Sequence, residues 1–467
     1  MKMEMTGIEH VMVEIPAVNH DNTSVITEWK ECIKGNETTK EYYNRQRQIE
    51  KVPPSLLKSE KGRSNIECYE PAVVSLGPYH HNRTDLARAE KYKLVTLEEY
   101  SHTHNTRIPI QLLYEKVFEV VRDARKCYID GSTDAYSDHE FNKMMLLDGC
   151  FVVFHIECIS RQTGKVTLIN EYLGAIDFLN IMRDIFLLEN QIPFVVLQVL
   201  LKLKFPDDEG EEVLNRLFNY LKYGKVDKGG KKVLQNKHRS PLHLLELYRS
   251  YFISLSATSL FVNSTTINEE EIISEKNTNY VKRNRWFASA TELKARWVFL
   301  KSTDSMENED MQFDFHGWHG DFKLARRAIS PYTKDIYLNM IAYEMCPHNP
   351  NDFRISTYIR VMKALIIEVE DVKEMRDKKV LTHGLGRDEE VVKMFDEIEV
   401  PGINLHMYNV LRQGIQIIQK DKYKTWVAEL KTEYLSSPWK AMGVLVGVAL
   451  LVTGFVQTYF AIHPRGQ

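Results

Sequence analysis

The chain holds 467 residues, enough for two or three average domains or for one large one. An apolar fraction of 43% supports a substantial core, and a net charge of −3 gives no long-range pull toward nucleic acid or toward acidic partners. Six cysteines without a CxxC pair fit a reduced, cytosolic body and exclude a disulfide framework.

Residues 1–60 are polar and carry no apolar block long enough for a signal peptide, so they read as a partly disordered N-terminal extension. A helical domain is expected over 61–435, with exposed insertions near 205–240, 258–282 and 302–312. It opens with CYEPAVVSLGPYHH, where Pro71, Gly77 and Pro78 dictate extended chain and turn. His80 and His81, with Cys68, are metal-ligand types. Adjacent side chains of extended backbone point apart, so a polar turn is the plainer reading.

Amphipathic helices are expected from Asp85 to Tyr100 and from Ile110 to Cys127. Two runs, Phe141 to Ile159 and Asp184 to Leu203, are apolar on nearly every side and must be buried. Pro193 belongs at a helix start, with Asn190 as its N-cap. Asp148 and Glu189, set among apolar residues, are the carboxylates best placed for general acid chemistry. The structural alternative is that each caps a helix or pairs with an arginine such as Arg183.

Lysines gather between Lys222 and Arg239, either a solvated loop or a basic patch for anionic lipid. Helical spacing returns at His243 to Phe252, and again after Thr291 with Leu293, Ala295, Trp297 and Val298. HGWHGDF offers His316, His319 and Asp321, but its glycines make a helix unlikely to hold them on one face. One long helical stretch is expected from Thr357 through Leu381, and another helix capped by Asp388. No nucleophile elbow, phosphate loop, zinc motif or nucleic-acid motif is present, so neither cofactor nor metal nor nucleic acid is expected.

The stretch from Ala441 to Ile462 holds 22 uncharged residues. As a helix it measures about 33 Å against a bilayer core of roughly 30 Å. Residues 436–467 are therefore expected to form a single-pass C-terminal membrane anchor in plasma membrane or endomembrane. Lys422, Lys424, Lys431 and Lys440 before it and Arg465 after it favour a cytosolic body. N-x-Ser/Thr triplets at Asn22, Asn36, Asn82 and Asn263 point the other way. Gly443 and Gly447 set a GxxxG spacing suited to a homodimer within the membrane. The expected fold class is mainly α: a large helical soluble domain with minor short β elements, plus one C-terminal transmembrane helix.

CYEPAVVSLGPYHH, MMLLDGCFVVF, DIFLLENQIPFVVLQVL, ATELKARWVFLK, LNMIAYEMC, GLGRDEEVVKMF and the SPW before the last helix occur in this order. Together they resemble the plant proteins that share domain of unknown function 247, over about Cys68 to Ile462. GPYHH and LLENQIPF are the most specific segments. Trp297 stands where that family more usually has glycine, and ARAEKYK replaces its usual Met-Glu-x-x-Lys. The resemblance implies a membrane-associated plant protein without assigned catalysis and supplies no catalytic residues. Some grass members are candidate self-incompatibility determinants. The expected function is a protein interaction or recognition module with an unknown protein partner. The alternatives are a self-incompatibility determinant and an enzyme using Asp148 and Glu189.

Overall fold

The apolar runs at 141–159 and 184–203 become the interior of the chain in the computed structural model. The structure describes residues 47–58, 65–102, 107–162, 171–226, 240–252, 261–262, 288–303, 311–316, 319–349, 351–409, 411 and 438–462. The chain divides into Met1–Arg47 and Gln48–Gln467, and the second unit is the subject here. Of the expected N-terminal extension, residues 1–46 lie outside the described residues. The ordered body already begins before residue 61: Ile49 is fully buried and donates its N–H to Cys127 O at 2.6 Å.

Helices α1 (Ala87–Ser101), α2 (Ile110–Phe118), α3 (Val121–Lys126) and α4 (Asp138–Arg161) come first. Next are α5 (Ala175–Asp184), α6 (Phe194–Lys204), α7 (Glu209–Tyr223) and α8 (Leu244–Phe252). Strand β1 (Phe261–Val262) and helix α9 (Ala290–Ala295) lead into β2 (Val298–Thr303), β3 (Met311–His316), β4 (His319–Ala325) and β5 (Arg327–Ile329). The rest are α10 (Thr333–Met345), α11 (Arg354–Leu365), α12 (Val369–Asp377), β6 (Leu381–His383), α13 (Asp388–Glu397) and α14 (Pro438–Ile462).

Helix α4 is the axis of the body, in contact with α1, α2, α6 and α7. Ser137 starts it with a reciprocal capping box to Glu140, and Gln162 ends it in a left-handed conformation. Its side chains are buried almost continuously from Phe141 to Ser160, as its all-round apolarity requires. Gly149 sits where α6 crosses: a Cβ there would lie 2.3 Å from Leu200 Cδ1, so a larger residue would force the Leu200 side chain to move.

The insertion expected near 205–240 opens as helix α7. Glu209, Glu211 and Glu212 occupy its first turn, where the helix dipole favours acids. Val213, Leu214, Leu217, Phe218 and Leu221 form a buried stripe beneath that polar opening. The later basic stretch from Lys228 to Arg239, and most of the insertion at 258–282, lie outside the described residues.

Strands β1 to β4 make one sheet in the order β1-β3-β4-β2. HGWHGDF, left open by its sequence, joins an antiparallel hairpin with His316 opposite His319. β2 runs parallel to β4, pairing Phe299 with Asp321. The helix expected through Val298 instead ends at Ala295, after a capping box between Ser289 and Glu292. Trp297 then turns the chain into β2 with φ +61°, the left-handed region that favours glycine.

The long helix expected from Thr357 breaks into α11 and α12. Asp371 causes the break: its carboxylate accepts the N–H groups of Ile367 at 3.1 Å, Glu368 at 3.0 Å and, from α9, Thr291 at 2.9 Å. Those bonds cap α12 and leave the chain at Ile366–Glu368 extended enough to form an elbow. Arg387, not Asp388, is the N-cap of α13, while Asp388 accepts from His383 Nε2 at 2.7 Å.

One expectation is corrected at the C-terminus. Helix α14 forms and contains Ala441, Gly443, Gly447 and Ile462. Among the described residues, however, no helix is long and apolar enough to cross a membrane. The fold class is thus a mainly helical body with minor strands, and the C-terminal transmembrane helix is withdrawn from it.

The backbone at Trp297 yields a direct test. Replacing Trp297 by Ala or by Gly removes the same ring contact with Phe299. Only Gly also relieves the left-handed backbone, so Trp297→Gly should unfold at higher denaturant than Trp297→Ala, by about 1 kcal/mol.

Candidate functional site

The most polar part of the interior surrounds residues 72–79, an extended strap that belongs to no sheet. Ser75, Leu76, Gly77 and Pro78 are buried, so their main-chain groups have to find partners away from water. Side chains from three helical regions supply them. At the end of α5, Asp184 accepts the N–H of Ala72 (3.1 Å), Val73 (2.7 Å) and Val74 (3.0 Å). Asn190 takes both sides of the next step, accepting from Leu76 N–H at 2.7 Å and donating to Val74 O at 3.0 Å. From α4, Asp148 accepts the Gly77 N–H at 2.8 Å.

A buried ion pair fixes that last contact. Lys93 on α1 lies 2.6 Å from Asp148 Oδ1 and donates to Ser75 O and Glu90 Oε1, each at 2.6 Å. Burial would lower the Lys93 pKa, but the Asp148 and Glu90 carboxylates outweigh it and hold the amine above its ordinary range. Glu90 and Lys93 keep the Glu-x-x-Lys spacing of the family pattern; only the preceding methionine is replaced, by the fully buried Ala89. The departure seen in ARAEKYK therefore leaves the charged pair intact.

Gly77 stands at φ +72°. A Cβ there would meet Tyr128 Oη at 2.7 Å and Gln191 O at 2.8 Å, while Tyr128 Oη itself donates to Gln191 O at 2.9 Å. GPYHH and LLENQIPF are thus two sides of one contact. Gln191 extends it, donating to Ile185 O and Leu187 O and accepting the Leu245 N–H of α8. Asn190 is not the N-cap of α6 that the sequence suggested; that position is Pro193, and the Asn190 amide is turned to the strap.

Arg183 carries the network outward. It pairs with Asp184 at 3.1 Å and with Asp335 of α10 at 2.6 Å, and it donates to the carbonyls of Glu67 and Glu70. Burial pushes the Asp184 carboxyl up to about 6, against the pull of three N–H donors and of Arg183.

Asp148 and Glu189 do not meet as an acid pair. Each accepts a main-chain N–H from a different segment, Asp148 from Gly77 and Glu189 from Val52 at 2.8 Å. His80 lies 3.8 Å from Glu189, and burial lowers its pKa to about 4, whereas the His81 ring packs edge-on against Tyr136. Burial raises the Cys68 thiol to about 12. In the hairpin, Asp321 is paired with Lys301 at 2.5 Å. Among the described residues no group of three or more His, Cys, Asp or Glu is placed to hold a metal ion. Gly443 and Gly447 have open space where a Cβ would stand, among the described residues.

The sequence reading passed over Lys93 and Asp184 as site residues and took Gly77 only as part of a turn. The available signal was the strap itself, since an unpaired extended segment inside a helical body demands buried polar partners.

A helical body whose polar core grips its own chain is the class of protein that these contacts define. The chain belongs to the plant family of domain of unknown function 247, whose model, described as a plant protein of unknown function, matches residues 49–453. It is 25% identical over 412 residues to UPF0481 protein At3g47200 of Arabidopsis thaliana, covering 85% of this chain and 83% of that protein. It is 22% identical over 491 residues to putative UPF0481 protein At3g02645 of the same plant, covering 88% and 90%. No solved structure matches the chain.

Two outcomes test the strap. Gly77→Ala should lower the unfolding free energy by about 2–4 kcal/mol in chemical denaturation, because a strained backbone and two close contacts add. Lys93→Met should cost about 3–5 kcal/mol by leaving a buried carboxylate uncompensated, and adding Asp148→Leu should recover much of it. Asp184 also sets a pH dependence. Its folded value of about 6 lies above the ordinary 3.8, so the folded state binds more protons between those values. The stability of the native chain relative to Asp184→Asn should therefore rise as pH falls from about 6.5 to about 4, read by denaturation at each pH.

Proposed function

We propose that the helical body is a protein interaction module. The observation that supports this reading most is the placement of its large exposed apolar side chains. Leu445, Leu450, Leu451 and Phe455 of α14 are each at least 65% exposed, and every described side chain from 445 to 459 is exposed. Contiguous apolar surface of that extent marks sites where another surface binds. Ile176 on α5 and Leu405 are further large exposed apolar side chains, at 77% and 66% exposure.

The polar interior supports the same reading from the other side. The carboxylates that sequence singles out for chemistry accept hydrogen bonds from the chain's own backbone. Their role is to hold a shape, which is what a recognition surface needs beneath it.

The test is native purification of the tagged full-length chain from plant tissue. A defined protein partner should accompany it in fixed ratio, and Glu189→Gln, which keeps an acceptor for the Val52 N–H, should leave that ratio unchanged. Recovery of the chain without a partner under several mild conditions overturns the reading. A partner lost with Glu189→Gln while the melting temperature is preserved would return this carboxylate to a direct functional role.

A further inference from the structure

The elbow between α11 and α12 and the outer face of α13 enclose an open groove of about 760 Å³. Its floor is aliphatic: Ile366, Ile367 and Val369 from the elbow, and Val392 from α13. Ile367, Val369 and Val392 are half-buried, so each still offers apolar surface to an occupant.

Helix α13 lines the groove with Glu389, Val392, Lys393 and Asp396, a stripe at i, i+3, i+4 and i+7. The opposite stripe, Val391, Met394 and Phe395, is buried in the body. One face of α13 is therefore used by the fold, and the other is presented as a wall.

The rim is acidic. Glu368 and Glu370 stand on the elbow side and Glu389 and Asp396 on the α13 side, all four exposed. Against these four carboxylates the lining sets two ammonium groups, Lys363 and Lys393, for a local balance of −2. Lys363 donates to the carbonyls of Asp396 and Ile398, so its charge is turned toward the end of α13. Lys393 stands 3.9 Å from Glu397. An aliphatic floor between acidic edges complements an occupant that is aliphatic on one side and cationic at its flanks.

We propose that this groove docks a basic amphipathic helix of a partner protein, an assignment that rests on the interaction reading above. Glu389 and Asp396 are separated by seven residues of α13, about 10.5 Å along its axis. The fitting helix places Lys or Arg residues two turns apart opposite them, with Leu, Ile or Val on the stripe between. Such helix-in-groove recognition takes its affinity from the aliphatic anchors, while the rim charges set specificity and association rate.

The test titrates the full-length chain with two labelled helical peptides and reads fluorescence anisotropy. Both carry leucines on one stripe; one has lysines two turns apart at its flanks and the other has glutamates there. The lysine peptide should bind at least about tenfold tighter, and that margin should shrink as salt is raised. Val392→Arg should abolish binding of the lysine peptide with the melting temperature preserved. The exposed double variant Glu389→Lys with Asp396→Lys should reverse the preference between the peptides, and it serves as the second arm should Val392→Arg fail to fold. Equal binding of the two peptides, or binding that the double variant leaves unchanged, overturns the proposal. In the native purification, a partner retained at full ratio by the double variant also overturns the groove while leaving the interaction reading intact. Absence of any partner from the unaltered chain removes the interaction reading instead.

Discussion

Everything in this body depends on satisfying the main chain of one extended segment. Residues Val74 to Pro78 of the strap are buried without a neighbouring strand among the described residues, so their amides and carbonyls are not paired by a sheet there. A buried, unpaired peptide group costs on the order of 1–3 kcal/mol, and several in succession would exceed the net stability of an ordinary protein. Asp184, Asn190, Asp148 and Lys93 remove that cost by standing where a neighbouring strand would stand. The helices that carry these four side chains are thereby held at fixed distances from one another.

This arrangement explains why carboxylates in apolar sequence need not be catalytic. Asp148 and Glu189 stand out because acids are rarely buried without a partner. Their partners are main-chain N–H groups of segments far away in sequence, 71 positions for Asp148 and 137 for Glu189. Arg183, the expected partner, is occupied by Asp184 and Asp335. The same principle operates around Arg249, which pairs with Glu344 and Asp352, while Glu344 also accepts the N–H groups of Ile355 and Ser356 at the start of α11. Buried charge in this protein mostly organises backbone.

The parts legible in sequence were those set by local periodicity. Helices α1 and α10 follow apolar spacing, α4 follows its all-round apolarity, and Pro193 marks the start of α6 as its fixed φ requires. The single helix expected from Ile110 to Cys127 is instead divided by a turn at 119–120 into α2 and α3. What escaped was set by tertiary partners. The polar opening of α7 hid a buried stripe, Asp371 divided a continuous helical pattern, and two glycines concealed a hairpin. Family resemblance carried information that periodicity did not. The glycine usual at position 297 matches a left-handed backbone, and Glu-x-x-Lys survives because Lys93 is the counter-ion of Asp148. The strap contacts of Asp184 and Asn190 were hidden for the same reason that they matter, since no local pattern announces a bond between residues 110 to 116 positions apart. The C-terminal stretch is the opposite case: its composition is plain and it forms a helix, yet among the described residues no helix is long and apolar enough to cross a membrane.

The strap also bears on the order in which this chain assembles. Its bonds to α5 and to Asn190 join positions 110 to 116 residues apart, and closing so long a loop is entropically expensive until both ends are already positioned. Helix α4, built from local contacts and started by its own capping box, has no such requirement. On loop-closure grounds the strap is expected to order after locally stabilised helices such as α4, an order that amide protection followed during refolding would report. Release of α5, which ends in Asp184, would thus free the N–H groups of Ala72, Val73 and Val74 together, so this one carboxylate couples the strap to the helix.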